Sequence, residues 1–273
     1  MPEASGRPHY SRIADSLRQL KYLAFEINDL CPLTGVHREC PRNADPDRWA
    51  EHLTEYPIDN DLIESYLVFA IEHGFDGLVN LHYYNEPMTT PDRIIDLMDR
   101  IDAKWSIWTN GVCVKQAKEV FSRCADVMIT IYPETKIGSL QDLGILEMPN
   151  VRVQRANLDG RSREDIEPRW HPRITKCNRL DWELIIDYYG NGHMCCGDWR
   201  GEIWIGNANS LPPETFFDTW IWQKNKLERM LTNITQESFE TIPQVCQLCL
   251  TRSPWISQVL TAYENPTKSK EIG

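Results

Sequence analysis

The stretch 26-EINDLCPLTGVHRECPRN-43 sets the reading of the whole chain. It follows 21-KYLAFEIN-28, a run of aromatic and aliphatic residues that reads as a strand. Cys31, His37 and Cys40 then fall within one loop. Thiol and imidazole are soft donors, and a loop that concentrates them suits iron–sulfur or zinc. Downstream segments are expected to hold a cofactor against this loop.

The chain is 273 residues long, enough for one large domain or two modest ones around a sizeable core. Apolar residues make up 41% and charged residues 25%, as in a globular protein. A formal net charge of -11 argues against nucleic acid or an anionic membrane surface as a general partner. No apolar run reaches the ~20 residues of a membrane span, and the N-terminus has no signal-like apolar region. The expected location is therefore cytoplasmic. Nine cysteines in a reducing compartment point to metal ligands or buried thiols rather than disulfides.

Outward from the loop, strand and helix patterns alternate. A helical face at Leu62, Tyr66, Phe69 and Ala70 stops at Gly74, and 77-GLVNLHYYNEP-87 reads as a strand closed by proline. Residues 91-PDRIIDLMDRID-102 read as a helix opened by proline, and 104-KWSIWTNG-111 as a strand ending in a glycine turn. A helix at 114–124, a strand at 126–133, a short helix at 138–146 and a strand at 150–158 complete five units. Such alternation implies a parallel sheet with right-handed crossovers. Five units are too few for a closed eight-stranded barrel, so an open, partial (β/α) barrel is expected.

Composition turns polar near residue 160, where a domain boundary is placed. Four spans follow: a lead-in at 1–20, the barrel at 21–165, a small cysteine-rich α+β domain at 166–260 and a tail at 261–273. In the third, 180-LDWELIIDYYGNGHMCC-196 reads as a hairpin with a Gly-Asn-Gly turn, 214–233 as a helix and 246-CQLC-249 as a rubredoxin-like turn.

A strand feeding a cysteine loop, a second ending in Asn85-Glu86-Pro87 and a third ending in Thr109-Asn110-Gly111 together resemble the radical SAM superfamily. The strength of the match is positional, since all three motifs lie where an α/β fold places its ligand. The resemblance implies a [4Fe–4S] cluster on three ligands of the first loop, with one iron open to the amino acid end of S-adenosylmethionine. It implies reductive cleavage to a deoxyadenosyl radical that takes hydrogen from substrate, chemistry that belongs to the cofactor. Glu86 is implied to receive the cofactor ammonium and Thr130 to offer a nearby hydroxyl.

The family spacing of three cysteines is not kept here. His37 as the middle ligand gives C-x5-H-x2-C, while Asn43 takes the third position if Cys40 is the middle one. The first is favoured, because imidazole replaces thiolate on iron in Rieske centres. Cys177 and Cys195 form C-x12-G-x4-C, which resembles the opening of a SPASM or twitch extension. With Cys246 and Cys249 they make a four-thiolate cage for an auxiliary [4Fe–4S] cluster or zinc. Cys195 or its neighbour Cys196 supplies the second ligand, and the glycine spacing favours Cys195. Relatives suggest a peptide or protein substrate and an electron donor such as flavodoxin or ferredoxin. Two other readings stay open: a degenerate core kept as a scaffold, and a zinc-binding interaction module.

Overall fold

Alternate residues of each strand face two different interiors, and this positions everything else. The structure, a computed structural model, describes residues 9–34, 40–44, 56–156, 177, 179–232 and 234–251. Its strands are β1 (Tyr22–Phe25), β2 (Leu78–Asn80), β3 (Trp105–Thr109), β4 (Asp126–Ile131), β5 (Val151–Arg155), β6 (Glu183–Ile186) and β7 (Gly192–His193). Among the described residues they form one sheet in the order β5-β4-β3-β2-β1-β6-β7. All neighbours are parallel except β6 and β7. The sheet is open, with β5 and β7 at its edges, as the count of units led one to expect.

Leu23, Phe25, Val79, Trp105, Ile107, Val127, Ile129, Leu184 and Ile186 point to the outer face and join the main core. Helices cover that face: α1 (His9–Gln19), α3 (Asn60–Glu72), α4 (Pro91–Arg100), α5 (Ala117–Ser122), α6 (Ile137–Asp142) and α7 (Pro213–Leu231). Short helices α2 (Pro41–Ala44), α8 (Gln236–Phe239) and α9 (Gln244–Thr251) complete the described elements, and Phe239, Val245 and Leu250 join the same core. Ala24 and Ile185, between the outward residues, join a separate inner cluster with Tyr83, Tyr84 and Trp199. No helix among the described residues is long and apolar enough to cross a membrane.

Three differences from the sequence reading have physical causes. Strand β2 ends at Asn80 instead of running to the proline. The Asn85 side chain accepts from Tyr83 N at 3.0 Å and donates to Leu81 O at 3.4 Å, folding residues 81–86 into a turn. The hairpin does form, with Gly190 at φ +87 in its turn, but β6 pairs with β1 in the main sheet. Phe216, Phe217 and Trp220 of α7 likewise pack in the main core, with Phe216 edge-on to Tyr66 at 5.3 Å. Residues 183–231, expected in the second domain, therefore share sheet and core with the first; the boundary at 165 lies outside the described residues. Finally, Cys246-x2-Cys249 is helical, not a knuckle. Pro243 opens the helix by accepting from Cys246 N and Gln247 N at 2.9 and 3.1 Å, and no glycine interrupts it.

Candidate functional site

The loops after β1, β2 and β3 meet at Glu86. Its backbone N donates to Leu30 O at 2.7 Å, which fixes the residue before Cys31. Its Oε1 accepts from Thr109 Oγ1 at 2.6 Å and Met88 N at 3.1 Å, and its Oε2 accepts from Asn110 N at 2.7 Å. Glu86 is 1% exposed. Burial raises its pKa to about 7, against the lowering effect of those three donors. Pro87 opens a single 3-10 turn behind it. Gly111 turns the chain after Asn110 at φ +67, and a Cβ there would stand 2.8 Å from Thr135 Cγ2. Asn85, Glu86, Pro87, Thr109 and Asn110 are thus one assembly. Thr130 is not part of it: its hydroxyl accepts from Gln154 Nε2 at 3.0 Å on the neighbouring strand.

Cys31 and Cys40 are both partly buried. Burial raises the Cys31 thiol pKa; the Leu33 backbone N–H lowers it and Glu86 raises it. Cys40 packs on the inner cluster of Ala24, Tyr83, Tyr84, Ile185 and Trp199. Arg42 pairs with the Asp29 carboxylate and donates to Asp29 O at 3.0 Å and Tyr84 O at 3.5 Å. Asn43 N donates to Cys40 O at 2.8 Å. His37 lies outside the described residues. Two groups the sequence did not single out also sit here. Cys113 is half-buried, raised by burial and by the charges of Glu86 and Cys31. Glu26 accepts from Tyr84 N at 3.0 Å and Tyr188 N at 3.3 Å, and burial pushes its pKa to about 8. Its signal was a lone acid at the end of an apolar run.

Cys177, Cys195, Cys246 and Cys249 are partly buried thiols that form no disulfide among the described residues. Burial pushes the thiol of Cys246 well up, and the charges of Cys177 and Cys249 add to it. Cys195 is raised well above its ordinary value by burial, with Cys196, Asp198, Glu183 and Cys249 adding. Cys177 is raised chiefly by burial. Cys196 turns the other way. Its sulfur accepts from Arg179 Nη1 at 2.9 Å, its carbonyl accepts from Tyr84 OH at 2.7 Å, and its side chain joins Cys40 on the inner cluster. Nearby, His193 bonds Asp187 Oδ2 at 3.0 Å and Asp198 O at 2.8 Å. Burial opposes its protonation, but Asp187 outweighs that and the pKa rises to about 9. Among the described residues no three His, Cys, Asp or Glu side chains are drawn together around a single ion.

No protein-family model matches the chain, and no curated protein matches its sequence. Its fold is found in crystal structures of BtrN. BtrN in complex with AdoMet and 2-DOIA aligns over 84% of this chain and 92% of that chain, at a TM-score of 0.65 and 18% identity. The selenomethionine form of BtrN in an open conformation aligns over 84% and 91%, at a TM-score of 0.54 and 14% identity. The chain therefore shares the mixed α/β fold of those structures, with a mostly parallel open sheet among the described residues.

Proposed function

We propose that the chain is a radical SAM enzyme that binds S-adenosylmethionine at the rim formed by the loops after β1, β2 and β3. One observation carries the reading: three short motifs, each weak alone, are joined at Glu86 by bonds of 2.6 to 2.7 Å. A carboxylate has about four lone-pair sites. Three are taken by Thr109, Met88 and Asn110, which leaves one for a charged donor such as the cofactor ammonium. Asn85 and Pro87 shape the turn that presents it, and Asn28 Nδ2 braces the turn through Glu86 O at 3.3 Å and Thr90 Oγ1 at 2.9 Å.

Cys31, His37 and Cys40 would hold a [4Fe–4S] cluster, with Asn43 the alternative to His37. When bound, that cluster supplies the electron for reductive cleavage of the cofactor to a deoxyadenosyl radical. Cys177, Cys195, Cys246 and Cys249 would hold an auxiliary [4Fe–4S] cluster, with zinc as the other candidate. The reading rests on donor type, four thiols in the C-terminal part of the chain; among the described residues they are not drawn into one metal-binding group. Cys196, held by Arg179 on the inner face, is assigned no metal. Flavodoxin or ferredoxin is the proposed electron donor.

The test is electron paramagnetic resonance of the anaerobically reconstituted, reduced protein with and without S-adenosylmethionine. A change in the signal on adding the cofactor, lost in Cys31→Ser, supports the reading. An unchanged signal in the intact protein refutes it.

A further inference from the structure

Tyr84 stands two residues before Glu86, in the turn that follows β2, and is 5% exposed. Its polar atoms reach in different directions. Its backbone N donates to Glu26 Oε1 at 3.0 Å, and its carbonyl accepts from Arg42 Nη1 at 3.5 Å. Its hydroxyl donates to Cys196 O at 2.7 Å, across 112 residues of chain. The partner lies in a tight turn beside Cys195. Asp198 N donates to Cys195 O at 3.0 Å, and Cys196 N donates to Glu183 Oε1 of β6 at 2.6 Å.

The hairpin that leads to this turn meets the rim elsewhere too. Tyr188 N donates to Glu26 Oε2 at 3.3 Å, and the Tyr189 hydroxyl donates to Asp29 Oδ2 at 2.7 Å. One oxygen of Glu26 thus takes a bond from the turn that carries Glu86, and the other takes a bond from the hairpin. A continuous path runs from Tyr188 N through that carboxylate to the Tyr84 backbone, and along the phenol to Cys196 O. The Tyr84 ring packs with Ala24, Ile185 and Trp199, and Cys40 and Cys196 lie against the same group. A flat, rigid ring enclosed in this way has no room to swing, so a shift of the backbone at residue 84 carries the hydroxyl with it.

We propose that Tyr84 couples the cofactor rim to the Cys195–Cys196 turn, so that S-adenosylmethionine bound at Glu86 orders that turn. Tyr84 is a positioning residue: it acts through Cys196 O and not on the cofactor. Such coupling is reciprocal, so whatever fixes the Cys195–Cys196 turn also favours the cofactor. The proposal rests on the radical SAM reading, which names the ligand at Glu86.

The test is amide hydrogen exchange, read by mass spectrometry, on the anaerobically reconstituted holoprotein with and without saturating S-adenosylmethionine. The cofactor is expected to slow exchange at residues 81–90, where it binds, and by about fivefold or more at residues 194–201. In Tyr84→Phe, which removes one oxygen, the slowing at 81–90 is expected to remain and that at 194–201 to fall below about twofold. Tyr66→Phe, which loses a buried phenol bonded to Leu211 O at 2.7 Å away from this path, should keep both effects. A purely structural role for the Tyr84 hydroxyl would speed exchange by the same factor with and without cofactor, leaving their ratio as in the wild type. That result overturns the proposal. So does slowing at 81–90 with none at 194–201 in the wild type, and in both cases the radical SAM reading stands. No slowing at 81–90 in the wild type removes that reading, and this proposal with it.

Discussion

Replacing Glu86 by Gln separates the carboxylate's two roles. The folded pKa of about 7 stands above the ordinary value of 4.5, so the native state holds this proton more tightly than the unfolded chain. Stability from this group is therefore fully present below pH 4.5 and falls as pH rises through 7. From pH ~6 to ~8.5 the loss comes to about 1.4 kcal/mol, which Glu86→Gln removes. Cofactor affinity moves the opposite way. An ammonium pairs with the ionised form, whose population rises from roughly a tenth to nearly all over that range. S-adenosylmethionine should bind the wild type about tenfold tighter at pH ~8.5 than at pH ~6. The Gln variant should bind weakly at both. Isothermal titration on anaerobic protein at the two pH values, with denaturant melts alongside, measures both effects. Equal pH dependence in wild type and variant would refute the assignment of Glu86 as the cofactor's anionic partner.

Other substitutions test the two cysteine groups and the core. Cys195→Ser should lower iron per chain by about one cluster's worth, while Cys196→Ser leaves it unchanged; iron analysis after reconstitution decides. His37→Ala should lower the iron retained at the first loop and His37→Cys should keep it, and equal iron in both would remove His37 from the ligand set. Trp220 is 0% exposed in the core shared by α7 and the helices over the sheet, so Trp220→Ala should cost about 3–5 kcal/mol in a urea melt.

The fold was largely legible because its signals are local. Apolar runs of strand length alternate with helical faces, and Pro91, Gly74 and Gly190 punctuate them where the chain turns. Pairing of β6 with β1 was not legible, since nothing in 183-ELII-186 distinguishes a sheet partner from a separate hairpin. The rim was legible as three motifs but not as a network. Glu86 finds Thr109 and Asn110 across 23 and 24 residues, and only folding brings them within 2.7 Å. Cys195 and Cys196 look alike in the sequence. In the structure Cys196 Sγ accepts from Arg179 Nη1 at 2.9 Å. Cys113 and the buried oxygens of Asn80 and Ser106 carried no motif at all. What marks them is the neighbours they meet, or fail to meet, once buried.

The most direct test is chemical. The reconstituted protein is reduced anaerobically in the presence of S-adenosylmethionine, and 5′-deoxyadenosine is measured by mass spectrometry. Accumulation of 5′-deoxyadenosine with methionine in equal amounts, abolished by Cys31→Ser, is the predicted result. Intact S-adenosylmethionine after reduction of a fully loaded protein would contradict the account.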